Sequence, residues 1–248
     1  MDAEHPLQLL VRNFELRCRL SPESRQALLD LPHSVQTMEA GSYLVREGEP
    51  PKKSVVPISG YACRQKITRA GTRQIIAIQI PGEAVDLQNL YLETADHNVQ
   101  MLRRGTVALV PRDKLRELAR SNSEIGEAIF AKTLVEAAIF REWVVNIGRR
   151  QAPQRIAHIL CELGFRLKSM GLAKEYGYEL PMTQEELGDA VGLTPVHVNR
   201  TLKLLVAEGL IERDKRSVSF PNWQKMRDAA DFNERYLHPG IQAPIANF

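Results

Sequence analysis

The stretch Pro181–Ile211, PMTQEELGDAVGLTPVHVNRTLKLLVAEGLI, constrains the chain most, because it reads as two short helices meeting at a glycine. Thr183 and Glu186 have the spacing of a capping box, in which each side chain satisfies a backbone N–H of the other's turn. Leu187, Ala190 and Val191 make the inner face of this first helix. Gly192 follows, where a left-handed backbone ends a helix without steric cost, and Thr194-Pro195 supplies a new N-cap with proline at the first helical position. The second helix is expected from Pro195 to about Glu208. Its buried face is Val198, Leu202 and Leu205, which leaves Val196, Asn199, Arg200 and Lys203 outward.

Two helices crossing steeply need their backbones close, and Gly188 permits that. The spacing predicts a DNA-binding helix-turn-helix, whose second helix enters the major groove. Thr183, Thr194, Val196, His197, Asn199, Arg200 and Lys203 are the candidate contacts in the two helices. An ordinary helical hairpin would share the apolar spacing but would not require an outward row of donors. The segment ERDKRSVSF then reads as a charged turn between two short strands. Such a hairpin is a wing, with Lys215, Arg216 and Ser217 placed for phosphate contact.

The chain has 248 residues, enough for two domains with separate cores. Its net charge of +3 argues little for nucleic acid, and residues 183–220 carry five basic side chains against six acidic ones. The case for DNA therefore rests on placement. No apolar run approaches the ~18 residues of a membrane span, so a cytoplasmic protein without membrane contact is expected. Cys18, Cys63 and Cys161 lie far apart and form no CxxC pair, which argues against a disulfide framework and against a zinc or iron-sulfur site.

In chain order, residues 7–31 read as helical, with a cap at Ser21-Pro22. From Val35 to Val110 short strands alternate with Gly and Pro: Tyr43–Val45, Val55–Ile58, Cys63–Ile67, Ile75–Ile80 and Val107–Val110. That pattern implies a compact antiparallel sandwich or barrel. A helix over Arg112–Arg120 follows. Residues 123–150 read as one long helix, in which Gly126, Phe130, Thr133, Ala137, Phe140, Val144 and Ile147 step by fours and threes as a dimer seam. A second stripe, Ile125, Ile129, Ile139 and Trp143, lies to one side. A fully buried monomer helix would also tolerate two stripes. Residues 149–153 read as a hinge, Gln154–Met170 begins the last domain, and Trp223–Ala230 with Phe232–Leu237 suggests a final helix and an anchored tail.

The expected fold is α+β in three parts: an N-terminal antiparallel, jelly-roll-like β-roll over 1–120, a long dimerisation helix over 121–150, and a C-terminal winged helix-turn-helix over 151–248. This order, together with MTQEELGDAVGLTPVHVNRTLKLL, resembles the Crp/Fnr family of bacterial transcription regulators. The resemblance implies a homodimer on a two-fold related double-stranded DNA site, contact with RNA polymerase, and a small-molecule effector at the β-roll. It places the base-reading positions on Val196 and Arg200, where Arg200 keeps the family arginine and can donate bidentately to guanine. Val196 departs from the glutamate common there, and His197 and Asn199 are further departures and candidate contacts.

The resemblance also bears on the effector. Cyclic-nucleotide-binding members carry Gly-Glu and then an Arg-Ser or Arg-Thr pair that holds the phosphate. Gly82-Glu83 is present, but Ala95-Asp96 stands where the pair would be, so the strongest contacts to cyclic AMP or cyclic GMP are missing. Gly82-Glu83 then reads as a turn. Cys18 alone near the N-terminus does not match the several cysteines of iron-sulfur members, and His97 is the one candidate haem ligand. The pocket residues expected are Gly82, Glu83, Asp86, Asp96 and His97. Asp86, Asp96 and His97 come with no nucleophile motif or phosphate loop, so they read as solvated loop residues and not as an enzyme site. The competing function is a ligand-binding regulatory module whose winged domain binds a protein partner instead of DNA; Arg200 and the charged wing argue against it.

Overall fold

The computed structural model describes residues 5–173 and 177–239. The chain divides into two compact units, one formed by residues up to Lys66 with Ala77–Ala137, the other by Ile67–Ile76 with Ala138–Pro239. The boundary falls within the long helix, so that helix contributes one half to each unit.

The first unit opens with helices α1 (Gln8–Glu15) and α2 (Pro22–Leu29); Ser21 caps α2 by accepting from the Ser24 N–H at 3.2 Å. Strands β1 (Ser34–Met38), β3 (Lys53–Pro57) and β7 (Gly105–Pro111) form one antiparallel sheet in the order β1-β7-β3. Strands β2 (Tyr43–Val45), β4 (Ala62–Ile67), β5 (Arg73–Gln79) and β6 (Asn98–Met101) form a second, ordered β2-β6-β4-β5.

Strands β3 and β7 are buried on both faces, which is why they read as continuous apolar runs and not as alternations. Val55 and Val107 join Val45, Val99 and Met101 in a core that draws on both sheets, whereas Val56, Ala108 and Val110 face a helical core with Leu10, Phe14, Leu28 and Leu115. Leu115 belongs to α3 (Arg112–Ser121), and Ile125, Ala128 and Ile129 of α4 (Ser123–Arg149) complete the same cluster.

Strands β1 and β6 were not among the expected strands. β1 is almost wholly exposed and owes its place to five paired positions along β7. β6 offers only Val99 and Met101 as inward residues, just after the polar ETADHN loop.

In the second unit the last turns of α4 lead to α5 (Ala152–Ser169), where a Gln151–Gln154 capping box and Pro153 restart the helix. Strand β8 (Gly177–Glu179), helices α6 (Gln184–Val191) and α7 (Pro195–Ala207), strands β9 (Glu212–Asp214) and β10 (Ser217–Ser219), and helix α8 (Trp223–Ala230) follow. A 3-10 turn over Glu234–Leu237 ends the described chain, and the wing sheet has the order β8-β10-β9. The first strand of that sheet was not anticipated.

Buried polar contacts fix the joint between α4 and α5. Trp143 Nε1 and the Tyr236 hydroxyl both donate to Glu162 Oε2, at 3.0 and 2.9 Å, and Arg166 donates to the other oxygen at 3.0 Å. Arg150, within the stretch 149–153 expected as a hinge, is buried, and its guanidinium lies 2.6 Å from Glu142 and 3.1 Å from Asp231. The His158 ring, 3.3 Å from Glu142 but off hydrogen-bonding geometry, and the Arg150 guanidinium hold the Glu142 carboxyl down to about 2. The tail expected at Phe232–Leu237 is anchored here, with Tyr236 stacked on His158 at 5.8 Å.

Candidate nucleic-acid interface and the interior of the β-roll

The two-helix motif forms through its local signals. Thr183 Oγ1 accepts from the Glu186 N–H at 3.1 Å, and Glu186 Oε2 accepts from the Thr183 N–H at 2.7 Å, which completes the capping box. Gly192 takes φ +67, and Thr194 Oγ1 accepts from the His197 N–H at 3.3 Å as α7 begins. The crossing of the helices rests on Gly188, where a Cβ would stand 2.4 Å from the Leu193 carbonyl oxygen.

Helix α7 buries Val198, Thr201, Leu202 and Leu205. Its opposite face carries Val196, at 81% exposure, with Arg200 and Lys203 also exposed. His197 is half-buried, and its Nε2 accepts from the Arg200 guanidinium at 3.4 Å. Asn199 is half-buried as well, with its Nδ2 donating to Gln184 Oε1 at 3.2 Å. Gln184 was not among the expected residues, although its place directly after the N-cap Thr183 could have marked it.

In the wing, Asp214 pairs with Ser217, so Lys215 and Arg216 are the two residues of a tight turn. Lys215 adopts φ +51, and both side chains are exposed together with Ser217. The structure therefore brings the α7 residues onto one exposed face and puts the wing residues at a hairpin tip.

The long helix differs in detail from the expected seam. Phe130 (65%), Leu134 (53%) and Val144 (72%) are its most exposed apolar side chains, and Thr133, Ala137, Phe140 and Ile147 are half-buried. Gly126 faces α3 instead, where a Cβ would lie 2.7 Å from the Ala119 carbonyl oxygen. The outer stripe thus runs through Leu134, one residue around the helix from Thr133. The second stripe, Ile125, Ile129, Ile139 and Trp143, is buried throughout, as expected.

The interior of the β-roll requires a larger correction. Asp86 and His97 are not solvated loop residues: they are 3% and 4% exposed. The segment carrying them folds inward because Val85 bridges to Val55 and the Ala95 N–H donates to the Glu49 carbonyl. His97 Nε2 lies 2.8 Å from Asp86 Oδ1, and its Nδ1 lies 2.6 Å from Asp96, whose side chain is 83% exposed.

Arg64 of β4, also buried, lies 2.8 Å from Asp86 and 3.3 Å from Glu136 of α4. Burial raises the Asp86 carboxyl, but His97 and Arg64 outweigh it and the net displacement is downward. Gly82, at φ +87, does make the expected turn. Glu83 does more, because its carboxylate reaches inward to Lys132 Nζ at 2.8 Å and to the Ile80 N–H at 3.1 Å.

Neither Arg64, Lys132 nor Glu136 was anticipated. One signal was available: Lys132 falls among the apolar buried positions Ile125, Ala128, Ile129, Val135 and Ile139, with Glu136 four residues on.

The three cysteines are free, and burial raises the thiols of Cys18 and Cys161. Among the described residues no group of three or more His, Cys, Asp or Glu side chains is arranged to hold a metal. No described helix is long and apolar enough to cross a membrane.

Comparison with known proteins agrees with this architecture. The cyclic nucleotide-binding domain model matches residues 35–122, and the Crp-like helix-turn-helix domain model matches residues 154–229. The chain belongs to the Crp/Fnr family.

Among its Crp/Fnr relatives, the transcriptional activator protein anr of Pseudomonas aeruginosa is 25% identical over 80% of this chain and 81% of its own length. The transcriptional activator protein FnrL of Cereibacter sphaeroides is 24% identical over 86% and 87%. The structure of FixK2 from Bradyrhizobium japonicum shares the fold, with a TM-score of 0.73 at 24% identity, over 80% of this chain and 98% of that one. The chain is a DNA-binding transcription regulator.

Proposed function

We propose that this Crp/Fnr protein acts in the cytoplasm as a homodimer on a two-fold related DNA site, read by α7 and steadied by the wing. The observation that carries this is the exposed face of α7. Val196, Arg200 and Lys203 stand together in solvent on the helix that Gly188 lets pack closely against α6. Arg200 donates to guanine, Val196 meets a thymine methyl, and Asn199 and His197 flank them. Lys203, Thr183, Thr194 and the wing residues Lys215, Arg216 and Ser217 hold the phosphate backbone.

The dimer forms along the outer stripe of α4 through Phe130, Leu134 and Val144, whose exposure is costly for a lone helix in water. RNA polymerase is the further partner for an activator. The protein is a regulator and not an enzyme; the acid and base groups of the β-roll interior are spent on one another.

We infer further that the β-roll does not take a cyclic nucleotide at its Gly82-Glu83 turn. The residues there do not fit one. Glu83, which would meet a ribose, is committed to Lys132, and Arg64 is neutralised by Asp86 and Glu136. Where the family's phosphate-holding pair would stand, the chain has Ala95, which is buried, and Asp96, whose carboxylate is exposed and would repel a phosphate. A small effector of other chemistry remains part of the proposal, and neither haem nor an iron-sulfur cluster is.

Arg200→Ala tests the reading of DNA. It is expected to cost ~1–3 kcal/mol on the preferred sequence and to relax preference at one position per half-site, measured by competition binding. Equal weakening on every sequence would make Arg200 a phosphate clamp and remove it from the reading face.

A further inference from the structure

A side-chain hydrogen bond ties the two helices of the motif together on the side that faces DNA in the reading above. Asn199, in the second turn of α7 and next to Arg200, donates from Nδ2 to Oε1 of Gln184, the first residue of α6, at 3.2 Å. Both residues are half-buried, so the contact is partly sheltered from water.

A primary amide has two N–H donors and one carbonyl acceptor. With one N–H committed to Gln184, Asn199 presents its other N–H beside its carbonyl. A donor beside an acceptor is the complement of the adenine major-groove edge, N7 and the N6 amino group. Left to itself, an asparagine amide turns between two broad settings about its last torsion. The second setting would aim the wrong atoms at the base.

We propose that Gln184 is a positioning residue for sequence reading: its carbonyl fixes the Asn199 amide in the setting that recognises one adenine in each half-site. The proposal deepens the DNA-reading function and rests on it. Gln184 acts here through Asn199 and needs no contact with the base.

The test compares sequences selected from random DNA by the full chain and by Gln184→Ala, Gln184→Glu and Asn199→Ala variants, with affinity for nonspecific DNA measured alongside. The wild type is expected to select adenine at a position beside the one set by Arg200. Gln184→Ala is expected to lower that adenine preference by roughly tenfold, leaving the other positions and the nonspecific affinity in place. Gln184→Glu keeps the acceptor and therefore the preference, while its negative charge weakens binding to all sequences alike. Asn199→Ala loses the preference, and adding Gln184→Ala to it changes that position no further.

Three results overturn the proposal. They are an unchanged motif for Gln184→Ala, a uniform loss of affinity for that variant across all sequences, or guanine in place of adenine at the position in the wild type. The last would mean that Asn199 turns both N–H groups outward. If the wild type itself selects no motif, the DNA reading falls, and this proposal with it.

Discussion

Replacing Lys132 by methionine is expected to destabilise the β-roll by about 3–5 kcal/mol, because it strands a buried carboxylate. Glu83 and Lys132 have side chains only 5% and 2% exposed, so no water can take over the role of the lost ammonium. The backbone N–H of Ile80 still donates to Glu83, but it brings no charge to balance the carboxylate in the interior.

The loss should appear in urea unfolding followed by far-ultraviolet circular dichroism. Both tryptophans, Trp143 and Trp223, lie in the other unit, so their fluorescence should report a smaller change. Adding Glu83→Gln to Lys132→Met should restore most of the stability, since the amide still accepts from Ile80 and carries no charge. A Lys132→Met protein as stable as the wild type would show that the pair is not buried as described.

Gly188→Ala is expected to have the second-largest effect, about 3 kcal/mol on the winged unit, at the upper end of what a single added methyl costs in a tight core. The obstacle is backbone. The new Cβ would sit 2.4 Å from the Leu193 carbonyl oxygen, in a turn that is itself tied back to Gly188 by the Leu193 N–H at 3.0 Å. That carbonyl cannot swing away as a flexible side chain would, so α7 must shift relative to α6. Tryptophan fluorescence should report an earlier unfolding transition while the β-roll signal is retained. Sequence-specific DNA binding should fall much further than nonspecific binding, because only the former depends on where α7 lies. Unaltered specificity in this variant would contradict the close crossing of the two helices.

These two positions also show what the sequence could and could not disclose. The crossing at Gly188 was legible because every signal for it is local: a capping box at Thr183 and Glu186, a left-handed stop at Gly192, and a cap with proline at Thr194-Pro195. Strands β2, β3, β4, β5 and β7 were legible as short segments set off by Gly and Pro. Strand β1 was not, since its identity lies in its pairing with β7 and its own side chains are exposed.

The ion pairs inside the β-roll were hidden for a related reason. Glu83 and Lys132 are 49 residues apart, and nothing in either neighbourhood names the other. Asp86 and His97 were misjudged because polar residues in a polar loop normally face water; here the backbone contacts of Val85 and Ala95 fold that loop inward. For α4 the period of the apolar stripes was legible, but which side chains stay most exposed was not. Gly126 serves the approach of α3, and the exposed stripe turns to include Leu134.

The most direct test of the central claim is selection from random DNA by the purified wild-type chain, carried out at two salt concentrations because phosphate contacts alone make binding salt-dependent. A homodimer reading DNA through α7 predicts an inverted repeat whose half-site centres lie one helical turn, ~34 Å, apart, with a guanine set by Arg200 in each half. Recovery of no motif, or of a single half-site without its inverted copy, would contradict the account.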